Sequence, residues 1–372
     1  LIGKIHVNHL LSVNTRMSKP KKAQVWTRRQ ALWLMTGFTG SIALHACGQQ
    51  SSTSSESTKA ETGSNELTSA ATGSTLWIGY TPLYIALEKG FFKEEGLNLD
   101  YKVFSGTGEA DAAFAAGRLQ GENVVTSEAV ALASRGLDYR IIMVADTSFG
   151  GDGILASNSI GSIADFKGER IAVEEGGVSH FFLLQVLNKE ARLSGDDISI
   201  VNVTPDAAAA AYQTGKVDIA VTYSPFLQKA NQARQDGRII YDTSKMPTAI
   251  VDVYIFSPQF IEENPGTAKA FVRGILRGKE FLNTNREEAL AIAGERLELA
   301  PEQVEEQLKG VNLTSLKKNV EMLGNPQSDI YLAKHMNSLG QFLENQKQIQ
   351  KVPGEMPKLL DPQFVEAVGK NA

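Results

Sequence analysis

Pro82-Leu83-Tyr84-Ile85-Ala86-Leu87-Glu88-Lys89-Gly90-Phe91-Phe92-Lys93-Glu94-Glu95-Gly96-Leu97 decides the fold. Proline suits the first turn of a helix, where its missing N–H costs nothing, and glycine suits the position just past the last turn. Pro82 to Lys89 therefore reads as a helix stopped at Gly90. Apolar residues resume at Leu97, and 97–104 reads as a strand. Before the helix, the short apolar run Leu76-Trp77-Ile78-Gly79-Tyr80 is expected to be the first strand.

The same alternation continues outward. Helices are expected at 109–116, stopped by Gly117, and at 128–134, stopped by Gly136; strands at 123–126 and 140–144. A second set follows, with strands at 153–156, 170–173, 198–203, 219–222 and 238–240 and helical segments at 163–166, 179–191, 206–212 and 225–234. A further strand spans 250–256, and from Pro258 onward the pattern is almost all helical. The fold class is α/β, with two lobes, two doubly wound sheets, two crossovers and a helical C-terminal tail. Residues 76–152 and 251–372 form lobe 1, and 153–250 form lobe 2. Ligands of open α/β sheets sit beyond the carboxyl ends of the strands, and both lobes would direct those ends into a shared cleft.

Toward the N-terminus, Met17 precedes Lys19, Lys21, Lys22, Arg28 and Arg29, then an apolar run over 31–46 that ends at Cys47-Gly48. Basic region, apolar region and small-residue cleavage site make a signal peptide over 1–47, with Met17 as its expected start. Leu44-His45-Ala46-Cys47 resembles a lipobox, which implies lipidation at Cys47 and anchoring to the membrane by lipid; His45 departs from the usual pattern. Thr27-Arg28-Arg29-Gln30-Ala31-Leu32 resembles a twin-arginine export signal. The apolar run is short for a transmembrane helix of about 20 residues. Residues 48–75, rich in Ser, Thr, Gly and Glu, have too little apolar surface to fold and read as a flexible tether.

Cys47 is the only cysteine, so neither an intramolecular disulfide nor a Cys-rich metal site can form. The 372 residues carry 37 Lys and Arg against 42 Asp and Glu. Residues 1–47 hold seven of the former and none of the latter, so the remainder is markedly acidic. Such a surface argues against nucleic acid as a partner.

Several blocks in order carry a family resemblance: the opening stretch 82–97, Ala164-Asp165-Phe166-Lys167-Gly168-Glu169-Arg170-Ile171-Ala172-Val173, Ala211-Tyr212-Gln213-Thr214-Gly215-Lys216-Val217-Asp218-Ile219-Ala220, Pro225-Phe226 and Glu263-Asn264-Pro265. Over about 76–293 the chain resembles the nitrate/sulfonate/taurine-type ABC transporter substrate-binding proteins, which have the type II periplasmic-binding fold. The resemblance implies an extracytoplasmic or periplasmic receptor that closes on a small-molecule ligand and hands it to an ABC permease driven by its ATPase. In one departure, Gly117-Arg118-Leu119-Gln120-Gly121-Glu122 lacks the family's usual Gly-x-x-Asp ending and is expected to alter a loop.

The family mostly carries anions, yet the segments expected at the cleft are acidic and contain no Lys or Arg: Ser127-Glu128, Asp146 to Asp152, Glu174-Glu175-Gly176-Gly177, and Asp252. Like charges 4 Å apart cost about 4 kcal/mol at an effective dielectric near 20. A small planar cation reverses that sign, donating its N–H groups to carboxylates in bidentate pairs, with Tyr80, Phe149 or Tyr223 over its face. The expected ligand-binding residues are Tyr80, Ser127, Glu128, Asp146, Asp152, Glu175, Tyr223 and Asp252. Asp146 to Ile154 together with Ile250-Val251-Asp252-Val253 also resembles a subgroup associated with guanidine and urea-type nitrogen uptake. The expected ligand is a nitrogenous cation such as guanidinium; nitrate, an aliphatic sulfonate, taurine or bicarbonate is the alternative. Each acid also has a plain structural reading, as a helix-dipole partner or a turn residue.

An enzyme is the rival from another class, since pyrimidine-synthesis enzymes share the fold. They carry a cysteine-rich motif that this chain lacks. Of five histidines, His6, His9 and His45 fall in or before the leader, and His180 and His335 form no zinc-binding pair. No dinucleotide or phosphate loop is complete, so no catalytic residues, cofactor or metal are expected.

Overall fold

The computed structural model describes residues Leu67–Gly369. The leader, Cys47 and residues 48–66 of the expected tether lie outside the described residues. A six-stranded sheet is built from β1 (Thr68–Ser74), β2 (Leu97–Val103), β3 (Gly121–Val125), β4 (Arg140–Ser148), β10 (Val251–Phe256) and β11 (Val311–Leu313), in the order β11-β4-β10-β3-β1-β2. A five-stranded sheet holds β5 (Asp152–Ser157), β6 (Arg170–Val173), β7 (Ser199–Asn202), β8 (Ile219–Tyr223) and β9 (Gly237–Asp242), in the order β7-β6-β8-β5-β9.

Three expectations change. The end of the expected tether is an interior strand: β1 pairs in parallel with β2 along its whole length and with β3 at Thr72 and Gly73. Its sequence, Thr-Ser-Ala-Ala-Thr-Gly-Ser, hides this because the strand is packed with small side chains. A Cβ at Gly73 would lie 2.5 Å from Phe104. Pairing on both edges, not side-chain hydrophobicity, satisfies this backbone. The run 76–80, expected to be the first strand, is instead a connection ending in a single 3₁₀ turn, Ile78–Tyr80, with Trp77 before it. The C-terminal region, expected to be almost all helical, contributes edge strand β11, which runs antiparallel to β4.

Both sheets are mixed. β10 is antiparallel to β3 and β4, and β5 is antiparallel to β8 and β9. These are the strands that arrive directly from the other sheet, without the intervening helix that a parallel return requires. The two crossings touch at Thr243. Its hydroxyl meets the Ser148 hydroxyl at 2.7 Å and accepts from the Gly150 N–H at 2.7 Å. Gly310 closes the same place from the C-terminal region, its carbonyl accepting from the N–H groups of Phe149 and Gly151 at 2.8 and 2.9 Å. A Cβ on Gly310 would lie 2.9 Å from the Gly151 nitrogen.

Helix Thr81–Glu88 begins with Pro82 in its first turn, as expected, and the chain turns at Gly90 with φ +72°. It packs against helix Pro265–Thr284, and at Gly278 a Cβ would come within 2.0 Å of the Pro82 carbonyl oxygen. Behind the first sheet, Phe271 stacks on Phe92 and meets Tyr254 and Phe256 edge-on, with centroids 5.1 to 5.4 Å apart. Burying each such ring contributes roughly 1.5–3 kcal/mol. Buried Asn319, in helix Leu316–Gly324, accepts from the Val144 N–H at 2.7 Å and donates to the Val144 carbonyl at 2.9 Å, fixing the C-terminal helices to β4.

Candidate binding site

The strand ends of both sheets converge on one cavity. From the first sheet come Ser74 at the end of β1, Glu122, Asn123 and Val125 of β3, and Asp252 near the start of β10. From the second come Asp152 at the start of β5 and Tyr223 at the end of β8, paired directly across the β5–β8 ladder. Thr75, Trp77, Tyr80, Thr107 and Glu128 complete the polar and aromatic lining. The open space is small, ≈ 30 Å³, where a single water needs about 10–15 Å³. It suits a ligand of a few heavy atoms.

Four carboxyl groups line this space, Glu122, Glu128, Asp152 and Asp252, and no Lys, Arg or His does. All four side chains are buried. Asp252 accepts a hydrogen bond from the Tyr80 hydroxyl at 2.8 Å through one oxygen, while its other oxygen is buried and makes no hydrogen bond. One oxygen each of Asp152 and Glu122 and the Asn123 amide nitrogen are likewise buried and unpartnered. Such groups ordinarily find partners, and leaving one unpaired costs about 1–3 kcal/mol.

Loss of solvent raises every one of these acids. Asp152 is pushed up to about 7 by burial, against a hydrogen bond from Ser148 that lowers it. Burial first, then Asp111, raises Glu128 to about 8; burial, then Asp111 and Glu128, raises Glu122 to about 10. Asp252 is held far above the carboxylate range by burial and then by Asp146 and Asp152.

Aromatic rings form the remaining wall. Trp77 meets Tyr223 edge to face, with centroids 6.0 Å apart and planes at 88°. The Trp77 indole N–H points away from the cavity to both oxygens of Asp146, at 3.2 Å each. Two glycines make this arrangement possible: a Cβ on Gly79 would meet Asp146 Oδ2 at 2.2 Å, and one on Gly151 would meet the Trp77 ring at 2.5 Å.

Of the eight residues expected at the site, five line the cavity: Tyr80, Glu128, Asp152, Tyr223 and Asp252. Asp146 is fully buried one layer behind, under the Trp77 indole, and acts on the cavity through its charge. Ser127 is buried but does not reach the lining. Glu175 is exposed, because the turn after β6 directs it to solvent while Glu174 turns inward. Phe149, offered as a ring over the ligand, is instead 44 % exposed. Glu122 and Asn123 were not anticipated. The departure expected to alter a loop places Glu122 inside β3, and a charged residue followed by Asn in an otherwise apolar strand was the available signal. Among the described residues no group of three or more His, Cys, Asp or Glu has metal-binding geometry.

Two converging mixed α/β sheets with a cavity at their strand ends define a binding-protein fold, and comparisons with known proteins agree. The model of the NMT1/THI5 like family matches residues 77–289, and the chain belongs to that family. The Taurine-binding periplasmic protein of Escherichia coli (strain K12) is 27% identical over 195 residues, 51% of this chain and 59% of that protein, so the match spans about three-fifths of that relative's length. A putative aliphatic sulfonates-binding protein of Bacillus subtilis (strain 168) is 26% identical over 235 residues, 62% of this chain and 70% of that protein. Among solved structures, the alkanesulfonate-binding protein SsuA from Xanthomonas axonopodis pv. citri, bound to MOPS, aligns with a TM-score of 0.65 at 18% identity, covering 80% of this chain and 99% of that one. The desulfurization enzyme DSZB shares the fold with a TM-score of 0.59 at 14% identity, over 82% of this chain and 99% of its own. The resemblance to the nitrate/sulfonate/taurine-type proteins therefore holds at the level of family and fold.

Proposed function

We propose that this chain is the substrate-binding component of an ABC importer, and that it takes a small nitrogenous cation such as guanidinium between its two lobes and delivers it to the permease and ATPase. The lobes are the segments carrying the two sheets, 153–250 and the remainder of the folded chain. In this reading Cys47 carries the lipid that anchors the receptor outside the membrane, and the protein performs no chemistry on its ligand.

The observation that carries the ligand class is the ring of four buried carboxyls with no basic side chain in the lining. A cation with several N–H donors supplies what the unpartnered oxygens of Asp152, Asp252 and Glu122 lack. Planar guanidinium also fits a small space walled by Trp77, Tyr80 and Tyr223. The names of the relatives favour a second reading, a sulfonate. An anion here would face the four carboxyls without a countercharge, at about 4 kcal/mol for each ionised contact near 4 Å.

Calorimetric titration of the purified protein with guanidinium, taurine, methanesulfonate, nitrate and bicarbonate separates the readings. Saturable binding of guanidinium alone supports the cation. Tight binding of taurine or methanesulfonate without guanidinium overturns it in favour of the family's ordinary ligands.

A further inference from the structure

Two carboxylates, Glu128 of the cavity lining and Glu174 beside it, reach across the cleft in opposite directions. Glu128 belongs to the first sheet's segment, in helix Thr126–Ser134. Its Oε1 accepts from the Thr107 hydroxyl on its own side at 3.0 Å and from the Val178 N–H on the other side, also at 3.0 Å. Val178 is the first residue of the nine-residue helix Val178–Val186, which has no side-chain cap of its own. Glu174 belongs to the second sheet's segment, just after β6, and is turned the other way. Its carboxylate faces the backbone N–H groups of Thr107 and Gly108, at the start of the nine-residue helix Thr107–Ala115, while the Thr107 hydroxyl is given to Glu128. That helix also lacks a side-chain cap. Two glycines leave room for Glu174: a Cβ on Gly106 would lie 2.4 Å from Oε1, and one on Gly177 3.0 Å from Oε2.

We infer that Glu128 and Glu174 form a reciprocal clasp, each capping a helix of the opposite lobe, which holds the closed state and occupies the two helix N-termini that an anionic ligand would need. The physical basis is general. The first N–H groups of a helix have no intrahelical partner, and with the helix dipole they form a ready anion site. Here the protein's own carboxylates fill both positions, and they can do so only when the lobes are together. Closure is thereby rewarded by the protein itself, while an anion finds its natural donors taken. The anion-excluding half of this inference rests on the cation reading above; the clasp does not.

Amide hydrogen exchange of the full chain tests the clasp without any ligand, using Glu174→Ala and reading segments 106–110 and 177–181. Loss of Glu174 uncovers the first segment directly. If the clasp works as a unit, the second segment also exchanges at least tenfold faster, although its own cap, Glu128, is untouched. Acceleration confined to 106–110 would show an ordinary local cap and overturn the clasp. Glu174→Gln keeps the side-chain shape, serves if the alanine variant folds poorly, and is expected to move both segments in the same direction. Calorimetry with methanesulfonate tests the other half: no binding to wild type is expected, and weak but measurable binding to Glu174→Ala, weak because the four lining carboxyls remain. A variant that still rejects methanesulfonate overturns anion exclusion by the clasp. Binding by wild type overturns the cation reading, and the exchange result still decides the clasp.

Discussion

Asp146 and Asp252 stand directly opposite one another on the antiparallel strands β4 and β10, both buried, Asp252 lining a cavity that no basic side chain lines and Asp146 one layer behind it. Like charges in that cross-strand position destabilise a sheet, and Asp146 raises Asp252 by repulsion on top of burial. Protonation relieves the pair in the ligand-free protein, and a bound cation relieves it in the ionised form.

Replacing Asp252 by Asn keeps its shape and its bond to Tyr80 while removing the charge. Truncating one partner of a buried charge pair typically costs about 2–5 kcal/mol, or roughly 30-fold to a few thousandfold in Kd at about 1.4 kcal/mol per factor of ten. The expected outcome is a loss of guanidinium affinity of that size in calorimetry, with the ligand-free variant melting higher than wild type. A variant that binds as before would remove Asp252 from the site.

The raised acids set the pH dependence. In the unfolded chain these carboxyls titrate near 4, whereas burial holds Asp152 at about 7 and Asp146 and Glu128 at about 8 in the folded one. Between those limits the folded state binds more protons, so ligand-free stability is fullest near pH 4 and falls as pH rises through 7 to 8. A cation selects the ionised forms, so its affinity rises over the same interval. Thermal melts from pH 5 to 8.5 are expected to show a declining melting temperature without guanidinium and a growing stabilisation by it. A ligand-free melting temperature that climbs with pH would contradict this account.

Gly79→Ala places a methyl group where Asp146 and the Trp77 indole nitrogen already sit, at 2.2 and 2.3 Å. Overpacking of this kind costs about 1–3 kcal/mol. Urea denaturation is expected to show that loss, accompanied by a change in Trp77 emission as the indole leaves Asp146.

Asn319→Ala leaves both the N–H and the carbonyl of Val144 without their side-chain partner in a fully buried place. Each orphaned group costs about 1–3 kcal/mol, so a loss of roughly 2–5 kcal/mol in chemical denaturation is expected. Ligand affinity at saturating folded fraction should stay near wild type, since Asn319 does not line the cavity.

Glu175→Ala is the contrasting case. Its side chain is exposed and outside the lining, and guanidinium affinity is expected within twofold of wild type.

Much of this architecture was legible because proline and glycine mark helix limits and apolar runs mark strands. Helix Thr81–Glu88 and the order of strands from β2 through β10 follow from those signals. Strand β1 was not legible: Phe104 lies against Gly73 with no room for a side chain, and the strand's Ala, Thr, Ser and Gly composition looks like a linker. The acidic character of the site was also readable, from loops without Lys or Arg. Which of two adjacent acids turns inward was not, because Glu174 and Glu175 differ only in how the turn after β6 aims them. Glu122 was hidden for a related reason, since a charged residue inside a strand declares itself only once the strand's neighbours are known.

The meeting of both crossings at Thr243 carries one more implication. Strands that pass between two bodies at separate points would let those bodies bend, slide and twist independently. Ser148 and Gly150 of the first crossing are tied to a single hydroxyl of the second, and Gly310 braces the first crossing through Phe149 and Gly151. The two strands therefore form one axle. Neither strand can be displaced at the crossing without carrying the other, so the carboxyl-lined chamber is framed by a single joint.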